Sequence, residues 1–178
     1  MSLLAALVLM QVVRVEAPDP VLPPSDPNAA FALFQRVCFA PFPDPAKIEA
    51  AIVGLGPSFV RWQPATELEK LIPSHIWYSP SAKLSYSARG GMPSNIPDPQ
   101  CTVKVTAPAG ADAEQLIPLL GATLGIGAAK IVGHKAYRTG MWDLVRPGRR
   151  WRVILGTERR DGRMTLTLSM LNLKPEKK

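Results

Sequence analysis

The sequence predicts an α+β fold: a mainly antiparallel, meandering sheet of five to seven strands, with three to four helices packed on one face and a C-terminal β-hairpin. Three observations lead there. Apolar residues recur at helical spacing early in the chain, before about residue 73, and again after Asp112. Elsewhere from His75 onward the pattern alternates with period two. Near the C-terminus, residues 151–173 contain Asp161-Gly162, the pair a two-residue type I′ loop needs because both central residues must take positive φ. Pairing Arg160 with Arg163 across that loop sets Leu155 opposite Leu168, Val153 opposite Met170 and Thr157 opposite Leu166, all on one side of the pleat. The other side collects Arg152, Glu158, Thr165, Thr167 and Ser169, so one face is apolar and the other mostly polar.

The earlier elements follow from their start and stop signals. Asp26-Pro27 opens a first helix, with aspartate as N-cap and proline where its missing N–H costs nothing; Ala30, Phe31, Phe34, Val37 and Cys38 form its inward stripe. Asp44-Pro45 repeats the device, with Ile48, Ala51, Ile52 and Leu55 inward. Thr66 and Glu69 have capping-box spacing for a short third helix stopped by Pro73. Residues 75–79, 83–89 and 101–107 read as strands, with a loop over 90–100. Asp112 caps a further helix with Leu116, Leu119, Leu120 and Leu124 inward, where Pro118 implies a kink or a late start. Residues 130–138 and 140–145 are two more strands, and Pro147-Gly148 a turn into the last hairpin. No internal sequence repeat is visible.

Domain organisation is read as a hydrophobic, signal-like segment over 1–17, a Pro-rich linker over 18–25, one α+β domain over 26–173 and a frayed tail over 174–178. The apolar run over residues 3–13 is 11 residues long, against the roughly 20 a membrane-spanning helix needs. It suits a secretory signal, although no Lys or Arg precedes it and Pro18 is a poor fit after a cut following Ala17. Charge is lopsided. Residues 129–178 hold 13 Lys and Arg against 4 Asp and Glu, while the first 128 hold 8 against 10. That excess favours anionic partners, and its structural alternative is a solvated sheet face.

Cys38 and Cys101 are the two cysteines, and in an exported domain they could bridge a helix to the sheet it covers. In a cytosolic protein they would be buried thiols. With His75 and His134 they lack the short spacings of a metal site, so no metal or other cofactor is expected. Sequence signatures for a nucleophilic serine, a zinc-binding helix and a phosphate-binding loop are missing. Gly121, Gly125 and Gly127 resemble a dinucleotide fingerprint only superficially, since they end a helix instead of opening one. The basic cluster is more informative: Arg146, Arg149, Arg150 and Arg152 lie close to Trp142, the aromatic best placed to add contact area.

These residues lead to a small, non-catalytic binding or scaffolding domain of the bacterial cell envelope, periplasmic or secreted, meeting an anionic component or protein partner through its basic half. One alternative is an envelope hydrolase whose His75, His134 and Asp143 converge only in three dimensions. Another is a cytoplasmic nucleic-acid-binding protein, which would need reduced cysteines and a retained N-terminus.

Overall fold

Asp26 and Asp44 act as their positions before proline predict. The computed structural model describes residues 20–67, 69–71, 74–87, 99–134, 136–146 and 149–173, with Leu71 and Arg146 described in backbone only. In it Asp26 Oδ1 accepts from Asn28 N at 3.0 Å ahead of α1 (Pro27–Phe34). Asp44 Oδ1 accepts from Ala46 N and Lys47 N ahead of α2 (Pro45–Val53). α1 runs directly into a π turn, Gln35–Phe39, which carries Val37 and Cys38 into the core. The expected third helix is only a 3₁₀ turn, Glu69–Leu71. Its capping box does form, Thr66 Oγ1 accepting from Glu69 N while Glu69 Oε2 accepts from Thr66 N. Leu68, Ile72 and Pro73 lie outside the described residues.

α3 (Ala113–Leu124) is capped by Asp112, which accepts from Glu114 N, and it begins on time despite Pro118 inside it. The late start does not occur. Gly125 closes the helix in the left-handed region, at φ 65°. The four-helix end of the expected range is therefore not reached among the described residues, which hold three α-helices.

Among the described residues eight strands form one antiparallel sheet: β1 (Val60–Arg61), β2 (Ser74–Tyr78), β3 (Lys83–Ser87), β4 (Gln100–Ala107), β5 (Lys130–His134), β6 (Tyr137–Arg146), β7 (Arg149–Arg160) and β8 (Arg163–Leu173). The strand beyond the expected seven is β1, whose two residues are too few to show alternation. The order across the sheet is β1-β2-β3-β4-β8-β7-β6-β5. Two four-stranded meanders, each preceded by helix, thus meet at one seam where β4 pairs with β8 from Gln100↔Leu171 to Ala107↔Met164. The plan occurs twice although the sequence does not.

The last hairpin has the expected register, Arg160↔Arg163, Thr157↔Leu166, Leu155↔Leu168 and Val153↔Met170. Asp161 and Gly162 take φ 51° and 74° in its loop. The division of residues 130–145 differs: the chain turns before Tyr137, so Tyr137 and Arg138 belong to β6 and Gly140 is mid-strand. Gly140 is there for closeness, because a Cβ on it would lie 2.6 Å from Ile117 Cγ2 of α3.

All three helices lie against one face. Phe31, Phe34, Val37, Ile48, Ile52, Ile117 and Leu120 meet Leu84, Val103, Val153, Leu155, Leu166, Leu168 and Met170 in a single apolar core. Across that core Cys38 and Cys101 form a disulfide, Cα–Cα 5.5 Å, tying the π turn to β4. Among the described residues no helix is long and apolar enough to cross a membrane.

Candidate functional site: the basic end of the β6–β7 hairpin

β6 and β7 are long strands with uneven cover. β5 pairs only with residues 137–141 of β6, so residues 142–146 run on beside β7 alone. On that free length the register sets Asp143 opposite Arg152, Leu144 opposite Trp151, Val145 opposite Arg150 and Arg146 opposite Arg149. Three of the four predicted arginines, Arg146, Arg149 and Arg150, are therefore gathered at one hairpin end. Strand alternation sends Arg149 toward the helix-bearing side and Arg150 toward the other. The Arg149 guanidinium sits 6.0 Å from the Trp151 ring centre, a cation–π spacing. Beside Arg150 stands Val145, 84% exposed, the most exposed large apolar side chain among the described residues.

Arg152 has a different job. Its Nε and Nη2 reach Asp143 Oδ1 and Oδ2 at 2.5 and 2.8 Å, a two-pronged ion pair across the strands. The hydrogen bond from Arg152 holds the Asp143 carboxyl below its usual range, with the nearby Arg150 and Lys130 charges helping, and Asp143 in turn raises Arg152. Arg152 is thus largely neutralised. The pair borders a hollow of about 300 Å³ whose rim also carries Lys130 and Met141.

Trp142 is not a contact residue. It is 2% exposed, pairs with Val153 on the helix-covered face, and donates its indole N–H to Gly127 O at 3.0 Å. Gly121 allows that arrangement, since a Cβ there would lie 2.5 Å from the same carbonyl. The glycines after α3 therefore shape a helix end and an acceptor for tryptophan. Trp77 and Trp151 are buried as well.

No family model, curated protein or solved structure matches this chain. Its chemistry has to be read from the residues.

The three proposed titratable partners do not converge. His75 is on β2, Asp143 on β6 and His134 on β5, and four strands separate β2 from β6. That is five strand spacings of about 4.8 Å, or roughly 24 Å. Cys38 and Cys101 are spent on the bridge, so they offer no thiolate to a metal. Among the described residues no cluster of three or more His, Cys, Asp or Glu could hold a metal ion.

The sequence reading missed a second polar cluster, at the opposite edge of the sheet. Arg61 joins Glu49 of α2 at 3.2 Å and His75 Nδ1 at 3.2 Å, beside a hollow of about 410 Å³ that Trp62 also lines. Nothing in the periodicity marks a two-residue strand.

Proposed function

We propose that this chain is an exported, non-catalytic binding domain that meets an anionic component of the cell envelope through the end of the β6–β7 hairpin. The observation that carries the reading is the register that brings Arg146, Arg149 and Arg150 to one hairpin end beyond the reach of β5, with Arg150 beside exposed Val145 on one face and Arg149 on the other. Guanidinium groups at an exposed strand end suit phosphate or carboxylate groups, and Val145 beside Arg150 adds area that is dry on contact. The surplus of cations over the second half draws such a partner in at long range. The Cys38–Cys101 bridge supports an oxidising compartment over the cytoplasm.

The test is binding of the full chain to vesicles of anionic lipid, to vesicles of neutral lipid and to a sulfated polysaccharide, at rising salt. The expected outcome is salt-sensitive binding to the anionic surfaces that the double change Arg149→Glu with Arg150→Glu reduces by at least about tenfold, with melting temperature unchanged. Equal binding by the double variant would remove the reading.

A further inference from the structure

The two edges of the sheet are built differently. β1 is two residues long with Pro57 and Pro64 close by in sequence, a blunt edge that invites no further strand. β5 is five residues long and every one of them is exposed. It has β6 on one side and no strand on the other among the described residues. Between it and α3 runs an apolar groove of about 400 Å³, with Ile117, Pro118, Ala122, Ala129 and Ile131 in its walls. Ile131 pairs with Gly140 and so points to the α3 side, while Val132 pairs with Thr139 and points to the other. Both are exposed. An open edge supplies main-chain hydrogen bonds and the groove beside it supplies a place for alternate side chains, the two requirements for adding a strand from another chain.

From this we infer that β5 is an acceptor edge: an extended, acidic peptide segment of a partner protein adds to it as a further strand and seats an apolar side chain in the groove beside α3. Charge selects the occupant. Lys130 opens the edge, Lys135 follows it in sequence, and residues 129–178 hold 13 Lys and Arg against 4 Asp and Glu. A second copy of the chain would bring like charge against like, across a strand only about 17 Å long at the usual rise of about 3.4 Å per residue. An acidic peptide meets the same cations favourably. The edge is also separate from the arginine hairpin, because β5 ends its pairing where the hairpin's free length begins.

The experiment is calorimetric titration of the full chain with three synthetic peptides of equal length: alternating valine and glutamate, alternating valine and lysine, and the glutamate peptide with a central proline. The acidic peptide should bind, and the other two should bind at least about tenfold more weakly. Ala122→Trp, which fills the groove from an exposed helix position, and Ile131→Glu, which puts a carboxylate into it, should each weaken the acidic peptide by a similar factor with melting temperature kept. Arg150→Glu should leave its affinity within about twofold, which separates this edge from the hairpin end. Equal binding of all three peptides, or full affinity in both groove variants, would overturn the proposal. So would sedimentation showing a dimer that Ile131→Glu dissolves, since the edge would then belong to a second copy.

Discussion

Asp143 and Arg152 hold each other across two strands at a place where both are partly open to water. Because the folded carboxyl titrates below its ordinary value of 3.8, the pair supports the fold above that value and loses its contribution as pH falls through the folded, lower one. Melting curves from pH 7 down to about 2 should therefore show the native chain losing more than Asp143→Asn, with the difference between them closing at the acid end. Thr139 is a contrasting case. Its hydroxyl is buried and, among the described residues, has no hydrogen-bond partner. Thr139→Val keeps the shape and removes the stranded group, which costs about 1–3 kcal/mol when buried unpaired. The variant should melt at least about 2 °C higher, by the usual conversion of about 2–4 °C per kcal/mol for a chain of this size.

At the scale of elements, α3 and β6 touch through an absence. Gly140 lets Ile117 sit on the strand, so Gly140→Ala should force the helix outward at a cost of about 1–3 kcal/mol. The same change should cost clearly less in an Ile117→Ala background, where the added methyl enters vacated space; thermal melts of the four proteins measure that coupling. Helix starts were readable because Asp26, Asp44 and Asp112 each supply a capping oxygen within their own segment. The terminal hairpin was readable because Asp161-Gly162 sets a register and the register sets every facing pair. Trp142 was misjudged for want of the same step. Taking Pro147-Gly148 as a two-residue connection places Trp142 opposite Val153, already assigned to the apolar face, and buries it. The Arg61–His75 contact was not readable at all, since it joins residues whose strands are brought together only by pairing β1 with β2.

For the molecule as a whole, the bridge from Cys38 to Cys101 links the helical layer to a central strand over a sequence separation of 63. A loop of that size restricts the unfolded chain by on the order of 4 kcal/mol in the chain-entropy model. Reduction, or Cys38→Ala with Cys101→Ala, should lower the melting temperature by about 10 °C while the hairpin's binding at a permissive temperature persists. Layering was foreseeable from the segregation of helical and alternating segments, but the order of the strands was not, because β4 and β8 are brought side by side by a contact spanning some sixty residues. That seam carries a consequence for assembly. β8 follows the other seven described strands in the chain, yet it stands between β4 and β7 in the finished sheet. Without it β4 and β7 each keep an unpaired inner margin, so one strand closes both meanders at once and its loss would open two edges instead of one.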